Sequence, residues 1–564
     1  MHATPSHRVL SHFWLVGAGL ALALVWLLPN HTHPWLAFHS DAWAGLILGA
    51  VAVAVVVRGP VRFRWDWLAV CVAFLACMPF AQYRWGLGHY FGIAWMNSAY
   101  LLGLLLCLVI GAAWEGDSPG QTGDFLFLAI GLAGICSVGL QLHQWFALDP
   151  IGPWTLWSSG TRHFANMSQP NQLASLLLLG VLGCAWGFHR QRLSAGVATV
   201  VAALLLFGVV LTESRTAWVN VALLLAVTLG FGRAYLTRRF RVVAMGLAAY
   251  FFASMFVLPS LNATLGASGI PIAYRSAVGD LRIEIWSMFL RALELRPWLG
   301  YGWGQLAHAQ WLMMESLPAL GTNSLQAHNV VLDLLLWNGV PIGAALVAFG
   351  AWWCWRIASS IRSVTQWVQV SFLLVLATHA MLEYPHQYAY FLLPAGLVLG
   401  NLSTSMALPV AFVARRGWVA GLLAGSIAML VVTIRDYARV EESFYGLRFE
   451  QRRIQTTIPK TPPDVLVLDQ WHDYILFARN QPRAGLKQAD LDWMRKLTMT
   501  IPSAQLMYKL AGNLAMNGQP KEARQWLRMV CKVNGTDQCE AVRQEWVRLG
   551  ASNPDVAALA WPTP

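Results

Sequence analysis

The chain alternates between apolar runs long enough to cross a lipid bilayer and short polar connections. A membrane-spanning helix needs about 20 consecutive apolar residues, and hydropathy gives about thirteen such segments here. They lie near residues 11–28, 42–57, 66–80, 95–114, 125–146, 173–188, 196–211, 216–231, 242–259, 329–353, 367–383, 388–406 and 418–433. Because lipid leaves backbone groups no solvent partner, these runs predict an all-α, polytopic integral membrane protein.

Composition agrees with this prediction. The chain is 57% hydrophobic and 12% charged, with a mean hydropathy of +0.50, which excludes an ordinary soluble domain. The net charge of +12 does not point to nucleic acid, because the arginines cluster in short loops between apolar runs. The first apolar run lacks a small-residue cleavage site, so we expect a retained helix.

The arginines predict the orientation. They concentrate in one set of alternate loops, at 58–64, 190–192, 233–241, 356–362 and 415–416. Loops rich in Arg stay in the cytoplasm, so the N-terminus is predicted inside and the C-terminal tail outside. The loop from Glu115 to Asp124 is an exception, since it should be cytoplasmic yet holds no Arg.

The composition changes after the last apolar run, because no Lys occurs before Lys460. We therefore expect a transmembrane domain at 1–433, with a large outer loop at about 260–328, and a helical outer tail at 434–564. Residues 434–449 are expected to lie along the membrane surface. Residues 504–534 resemble a tetratricopeptide-type helix pair, although an unrelated helical hairpin fits equally well. In an oxidising compartment, Cys531 and Cys539 could form a disulfide.

The stretch from Asn323 to Gly343 joins a long polar segment to an apolar helix, with His328 and Asn329 at the junction. Asp333 follows about one turn deeper and is costly in hydrocarbon unless it faces the protein interior. An imidazole where water meets membrane indicates a functional site. A surface histidine beside a helix cap is the alternative interpretation.

Two arginines on the outer side indicate anion binding. Arg215 lies in a very short turn between two apolar helices and needs an anionic partner, which is either Glu213 or a diphosphate headgroup. Arg282, in the large outer loop, shares a helix face with Trp286, and the aromatic ring could support the guanidinium. The following run from Pro297 to Gly304 carries alternating glycines that allow close backbone approach.

Polar side chains also gather in two other outer connections. The first precedes the sixth apolar segment, where Pro170 fits the first helical position and exposed N–H groups favour an anion; plain N-capping is the alternative. The second is a tight turn that could bind a phosphate or a sugar. The candidates are His163, Asn166, Gln169, Asn171 and Gln172 in the first connection, with Tyr384 and His386 in the second.

All these residues fall on one predicted face, which indicates a single site. The sequence holds no phosphate-binding loop, dinucleotide-binding turn, serine nucleophile elbow or His-Glu-x-x-His zinc motif. The predicted outer loops hold no cluster of carboxylates that would indicate a metal site. We therefore expect a metal-independent reaction without a cofactor, with arginines binding the anion.

At these residues the chain resembles the bacterial O-antigen ligase and polymerase superfamily. The resemblance rests on His328-Asn329 with the helix through Gly343, Arg282 with Trp286, the Pro297–Gly304 run, and Ser214-Arg215-Thr216. The 162–172 loop, Glu383-Tyr384-Pro385 and the long outer tail look like the PglL-type protein O-oligosaccharyltransferases, which modify pilins.

The resemblance implies an enzyme of the bacterial inner membrane with its active site facing the periplasm. The donor would be an undecaprenyl-diphosphate oligosaccharide, transferred as a block to Ser or Thr of periplasmic or pilin proteins. His328 would be the general base, and Arg215 and Arg282 would bind the diphosphate. Tyr384, Asn171 and Gln172 would position the substrates in a single displacement with inversion.

Three alternatives stay open at this stage. An O-antigen ligase would use the same donor with a lipid A core acceptor, and an oligosaccharide polymerase would extend a glycan. A transporter or flippase of a lipid-linked glycan would also carry membrane-facing arginines. A transporter places its polar groups near the bilayer midplane, whereas here they gather at one interface, which favours an enzyme.

Overall fold

The structure is a computed structural model that describes residues 12–149, 151–158, 162–266, 281–313 and 320–562. Its α-helices are α1 (His12–Ala23), α2 (Phe38–Arg58), α3 (Trp67–Arg84), α4 (Phe91–Asp117), α5 (Gln121–Trp145), α6 (Pro170–His189), α7 (Ala195–Leu211), α8 (Arg215–Leu229), α9 (Arg238–Leu265), α10 (Leu281–Leu295), α11 (Leu306–Met313), α12 (Val330–Ala358), α13 (Val364–Ala380), α14 (Ala389–Ser405), α15 (Arg416–Gln451), α16 (Asp469–Arg479), α17 (Gln488–Thr500), α18 (Ala504–Met516), α19 (Pro520–Val533), α20 (Thr536–Ala551) and α21 (Pro554–Ala557). Two short strands accompany them, β1 (Arg62–Asp66) and β2 (Val410–Arg415).

Each of the thirteen predicted apolar segments contains a helix, which confirms the all-α polytopic fold class. Among the described residues, eight helices are long and apolar enough to cross a membrane: α2, α3, α4, α5, α6, α9, α12 and α15. Shorter helices occupy the other five predicted segments: α1, α7, α8, α13 and α14. The number of helices that cross the membrane remains a prediction.

The chain divides into two compact units. The first consists of Met1–Phe74, Tyr100–Gly279 and Gly350–Leu430, and the second of Leu75–Ala99, Asp280–Phe349 and Val431–Pro564. The C-terminal part thus groups with two earlier segments of the chain. The predicted domain boundary near residue 434 remains a prediction.

Side-chain caps begin several helices of the first unit. Ser194, Ser214 and Ser363 accept hydrogen bonds from backbone N–H groups of the first turns of α7, α8 and α13. Each serine satisfies a donor that the helix itself leaves without a partner. The apolar segments therefore start where the sequence changes from loop to helix.

Contacts between predicted cytoplasmic loops agree with the predicted sidedness. In the first unit, β1 pairs antiparallel with β2, a pairing that the sequence analysis missed. Asp124 accepts hydrogen bonds from Arg190 at 3.1 Å and forms an ion pair with Arg192 at 3.8 Å. The loop that lacks an Arg of its own thus lies beside arginines from another loop predicted to be cytoplasmic.

In the second unit, the glycine run packs backbone to backbone against α12. The Tyr301 N–H donates to the Leu336 carbonyl at 2.7 Å, and the Val340 N–H donates to the Pro297 carbonyl at 2.7 Å. Gly300 has a positive φ of 68°, and α12 is broken at Gly339, where φ is 76° and ψ is 168°. A Cβ on either glycine would collide with the backbone of the other segment. We call this contact the glycine joint.

Gln82, which the sequence analysis did not single out, reinforces the glycine joint. Its side-chain N–H donates to the Trp337 carbonyl at 2.8 Å, and its carbonyl accepts from the Trp303 N–H at 2.9 Å. The rings of Trp303 and Trp337 stack at 4.3 Å between centroids. A buried amide and two indoles therefore hold the two glycine segments together.

The tail is helical, as predicted. Residues 434–449 do not form a separate surface helix, however, because they continue the last apolar segment within the single helix α15. The predicted pair at 504–534 is present as α18 and α19. A disulfide between Cys531 and Cys539 links α19 to α20.

The glycine joint predicts an asymmetry between two substitutions in α12. Gly339→Ala should lower the thermal unfolding midpoint of the purified protein by several degrees, because the Gly339 backbone conformation costs other residues about 1–3 kcal/mol and the methyl group collides with Trp298. The control is Gly350→Ala, where a Cβ would meet nothing within 4 Å. A Gly339→Ala protein that unfolds at the wild-type temperature would contradict this account.

Candidate active site

The predicted site residues fall in both compact units, and each group is described by itself. The first unit contains Arg215, His163, Asn166, Gln169, Asn171, Gln172, Tyr384 and His386. The second contains His328, Asn329, Arg282 and Trp286. Within each unit, the structure joins segments that the sequence showed only separately.

Gln169 and Gln172 have different roles at the start of α6. Gln169 is the N-cap, and its side-chain carbonyl accepts from the Gln172 N–H at 2.7 Å, with Pro170 at the first helical position. The Gln172 carboxamide instead accepts from the Tyr390 hydroxyl at 2.5 Å. N-capping therefore accounts for Gln169, whereas Gln172 belongs to a network of side chains.

Asn171 connects two motifs that are far apart in the sequence. Its side-chain carbonyl accepts from the Arg162 guanidinium at 2.9 Å, and its N–H donates to the Glu383 carboxylate at 3.1 Å. Asn171 and Glu383 are both buried. The loop before α6 and the Glu383-Tyr384-Pro385 turn are thus parts of one arrangement.

Three tyrosines stack beside this connection. The rings of Tyr384 and Tyr388 lie 5.9 Å apart, and those of Tyr388 and Tyr390 lie 5.2 Å apart, with interplanar angles of 27° and 28°. Burial and the neighbouring Glu383 raise the pKa of Tyr384. The phenol therefore stays protonated at neutral pH and can donate a hydrogen bond to a sugar or phosphate oxygen.

Asn166 and His163 are held within the protein. The Asn166 side chain donates to the carbonyls of Leu27 and Trp154 and accepts from the Leu156 N–H. His163 is 5% exposed, and burial lowers its pKa to about 4. These three hydrogen bonds to backbone groups give Asn166 a structural role. A neutral His163 supplies no positive charge for a phosphate.

His386 is also neutral at pH 7. Burial and, to a smaller extent, the neighbouring His379 lower its pKa to about 4. His379 in turn lies 2.8 Å from the Ser175 hydroxyl through its Nδ1 atom. The turn that follows Tyr384 therefore contains an uncharged histidine.

Arg215 begins α8 at the end of a tight turn. Glu213 has a positive φ of 49°, and the Ser214 hydroxyl accepts from the Ala217 N–H at 3.3 Å. The Arg215 side chain is exposed, so its charge adds to the positive end of the helix dipole. The carbonyl of Thr212, in the same turn, accepts a hydrogen bond from Arg162 at 3.0 Å. Arg162 was not among the site residues predicted from the sequence.

Asp41 is a further residue that sequence reasoning missed. It is buried in the first turn of α2, where it accepts from the Tyr100 hydroxyl and from the Ala389 N–H, both at 2.6 Å. Ala389 begins α14, directly after the tyrosine stack. The sequence signal that could have identified Asp41 is a single carboxylate at the start of an apolar run.

In the second unit, His328 precedes α12 in a left-handed conformation with φ of 54° and is half-buried. Asn329 caps the helix, because its side-chain carbonyl accepts from Val331 and Leu332 N–H groups at 3.0 and 3.2 Å. Asp333 is fully buried and accepts from the Ala327 N–H at 2.8 Å. The predicted interior position of Asp333 is confirmed, and its carboxylate interacts electrostatically with His328.

Arg282 and Trp286 lie on the first two turns of α10, and both are half-buried. Their spacing of four residues puts them on one face of the helix. Buttressing of the guanidinium by the indole remains a prediction. In the described part of the chain, no group of three or more His, Cys, Asp or Glu side chains is arranged to hold a metal ion.

The comparisons with known proteins fit this arrangement. A family model described as O-Antigen ligase matches residues 200–348, and one described as Virulence factor membrane-bound polymerase, C-terminal matches residues 367–546. The first match includes Arg215, Arg282 and His328, and the second includes Tyr384. The chain is thus similar to O-antigen ligases over one segment and to membrane-bound polymerases over the next.

Two curated relatives narrow the class. The chain is 29% identical over 561 residues to a general O-oligosaccharyltransferase of Acinetobacter baylyi, with 95% of each chain covered. It is 26% identical over 413 residues to a ComP-specific O-oligosaccharyltransferase of the same organism, covering 70% of this chain and 72% of that protein. The resemblance to the PglL-type O-oligosaccharyltransferases is thereby confirmed.

The buried His163 predicts a pH dependence of stability. The pKa of this side chain falls from the ordinary value of 6.5 to about 4 on folding. Its contribution is therefore complete above pH 6.5 and is lost as the pH falls towards 4, by roughly 3 kcal/mol in all. The unfolding midpoint of His163→Phe should fall less than that of wild type between pH 7 and pH 4.5.

The control for this measurement is His33→Phe, because His33 is exposed. Its pH dependence should match that of wild type. Parallel wild-type and His163→Phe curves would show that His163 is not neutral in the folded protein.

Proposed function

We propose that this protein is an O-oligosaccharyltransferase that glycosylates periplasmic or pilin proteins. An oligosaccharide would move as a block from undecaprenyl diphosphate to a Ser or Thr hydroxyl. The observation that carries this proposal is the 29% identity to a general O-oligosaccharyltransferase across 95% of both chains. The site residues supply the chemistry that such a transfer requires.

His328 is the proposed general base. An imidazole can take the proton from an acceptor hydroxyl as the oxygen attacks the anomeric carbon. The buried Asp333 carboxylate accepts a hydrogen bond from the N–H of Ala327, the residue before His328, and interacts electrostatically with His328. This carboxylate would orient the imidazole and stabilise its protonated form.

Arg215 and Arg282 are the proposed diphosphate ligands. A guanidinium keeps its charge in a membrane environment and matches the geometry of phosphate oxygens. Arg215 stands at a helix N-terminus, which itself favours an anion. These charges would stabilise the negative charge that develops on the diphosphate as the glycosidic bond breaks.

Polar residues of the first unit would position the substrates. Tyr384 is a neutral donor beside the buried Asn171–Glu383 connection, and Gln172 holds the far end of the tyrosine stack. Gln169, His163, Asn166 and His386 would support these residues within the first unit, and Asn329 and Trp286 would support His328 and Arg282 within the second. For Gln169, Asn166 and Asn329 this support is structural, through the caps and loop connections described above.

A single displacement with inversion is the proposed mechanism. The acceptor oxygen forms its bond to the anomeric carbon, the bond from that carbon to the diphosphate oxygen breaks, and the hydroxyl proton goes to His328. Arginines would supply the positive charge, so we propose a reaction that needs neither a metal nor a cofactor.

The proposed location is the bacterial inner membrane, with the active site and the tail on the periplasmic side. The concentration of arginines in the other set of loops supports this orientation. The Cys531–Cys539 disulfide also supports a tail in an oxidising compartment.

An O-antigen ligase is the second candidate, because the family model described by that name matches the segment that contains His328. It would use the same donor with a lipid A core acceptor. The nature of the acceptor therefore distinguishes the two candidates.

Transfer in vitro tests the proposal. Purified protein, undecaprenyl-diphosphate oligosaccharide and a pilin should yield glycosylated pilin, measured by mass spectrometry. His328→Ala should lower the rate by about 10²-fold or more, because it removes the general base. Arg215→Ala should lower it by about 10-fold or more through the loss of a charged ligand.

The matched controls are His189→Ala, at the predicted cytoplasmic end of α6, and Arg291→Ala, an exposed arginine of α10. Both should transfer at the wild-type rate. Wild-type transfer to lipid A core and not to protein would replace the proposal with the ligase. Movement of the intact donor across a vesicle without cleavage would show a transporter.

A further inference from the structure

Four basic side chains from three segments of the second unit converge outside the predicted site. They are His89, before α4; Arg296 and His308, on either side of the glycine run; and Lys496, on α17 of the tail. We call them the basic cluster. None of them was singled out as a site residue from the sequence.

The contacts of the basic cluster run through its rings. His89 and His308 lie 5.7 Å apart between centroids, and His308 meets the edge of Tyr301 at 6.1 Å. The Arg296 guanidinium lies over the ring of Tyr301, 5.2 Å from its centroid. Lys496 lies 4.8 Å from the centroid of Tyr90, the residue next to His89.

The hydrogen bonds fix the protonation of His89. The Thr500 hydroxyl donates to the Lys496 carbonyl at 2.8 Å, so it accepts from His89 Nδ1 at 3.1 Å. The other ring nitrogen, Nε2, then carries a lone pair and can take up a proton. Burial first, and the positive neighbours second, lower the pKa of both His89 and His308 to about 4.

The carboxylates near the basic cluster accept hydrogen bonds from groups outside it. Asp473 accepts from the Tyr90 hydroxyl at 3.0 Å and from the Trp493 indole at 2.5 Å. Asp469 accepts from the backbone N–H groups of Phe91 and Gly92 at the start of α4. Within the described residues, neither Arg296 nor Lys496 has an ion-pair partner.

A buried amide adjoins the basic cluster. Gln305 is 1% exposed, and neither polar atom of its side chain has a hydrogen-bond partner among the described residues. The His308 N–H donates to the Gln305 carbonyl at 3.1 Å, so the two residues belong to the same turn. An unsatisfied buried amide is costly and is usually explained by a polar ligand or a water molecule.

We propose that the basic cluster is a phosphate-binding site whose ligands do not include Arg215 or Arg282. Arg296 and Lys496 supply fixed positive charge, and the two imidazoles can each add a proton when a phosphate dianion arrives. Structural packing alone explains the cation–ring contacts, but it leaves the charges of Arg296 and Lys496 without an ion-pair partner among the described residues. A phosphate oxyanion would balance these two charges and provide acceptors for all four groups.

Two sources could supply this phosphate group: the headgroup of a polyprenyl diphosphate, or soluble phosphate. Assignment to the headgroup of the glycan donor or its released carrier rests on the proposed function. Binding of a diphosphate to the basic cluster does not, because it is measured without transfer.

Isothermal titration calorimetry on the full-length protein tests the site. The background is Arg215→Ala/Arg282→Ala protein, so that the proposed donor ligands do not contribute. The probes are inorganic diphosphate and geranylgeranyl diphosphate in the same detergent. Adding Arg296→Ala and Lys496→Ala should weaken binding at least about 10-fold each, the effect of losing one charged hydrogen bond.

The matched controls are Arg291→Ala and Lys521→Ala, since both side chains are exposed and lie outside the basic cluster. Binding should also tighten as the pH falls from 8 to 6, because the bound state holds more protons than the free one. His89→Gln/His308→Gln should flatten that dependence while the unfolding midpoint confirms a folded protein.

The calorimetry distinguishes the two sources of phosphate and can overturn the proposed site. Tight binding of geranylgeranyl diphosphate and weak binding of inorganic diphosphate would support a lipid headgroup, and equal binding would support soluble phosphate. Affinities unchanged by Arg296→Ala and Lys496→Ala would overturn the proposal. Binding of a poly-glutamate peptide in place of either diphosphate would also overturn it, in favour of an acidic protein segment.

Discussion

The glycine joint is the constraint on which the second unit depends. Gly300 and Gly339 bring two backbones so close that no side chain fits between them, and hydrogen bonds from Tyr301 and Val340 fix the register. α12 carries His328 at its start and the joint in its middle. The helix that follows the proposed base is therefore held in place by contacts between uncharged backbone groups.

In the first unit, neutral polar groups build the framework and arginines carry the charge. Asn171 links Arg162 to Glu383, and burial keeps His163 and His386 uncharged at neutral pH. The neutral imidazoles of His163 and His386 neither attract nor repel an anionic substrate. The exposed Arg215 at the start of α8 then contributes positive charge where the sequence predicts the outer membrane surface. This division of roles suits a site that must hold a diphosphate beside lipid.

The sequence predicted the helices well because hydrocarbon demands long apolar runs, and every predicted run contains a helix. It also placed a helix start at Pro170, but it did not distinguish Gln169, which is the N-cap, from Gln172. It could not reveal Gln82, Asp41 or the pairing of β1 with β2, because each depends on a partner far away in the chain. The boundary at residue 434 looked sharp in composition, yet α15 continues through it.

The central claim is that Arg215 binds the diphosphate of the donor. Photocross-linking tests this most directly, with a polyprenyl-diphosphate sugar that carries a diazirine next to the diphosphate, followed by mass spectrometry of the labelled peptides. The account predicts labelling of the peptide that contains Arg215, with competition by unlabelled donor and weaker labelling of Arg215→Ala protein. Labelling that leaves this peptide unmodified would contradict it.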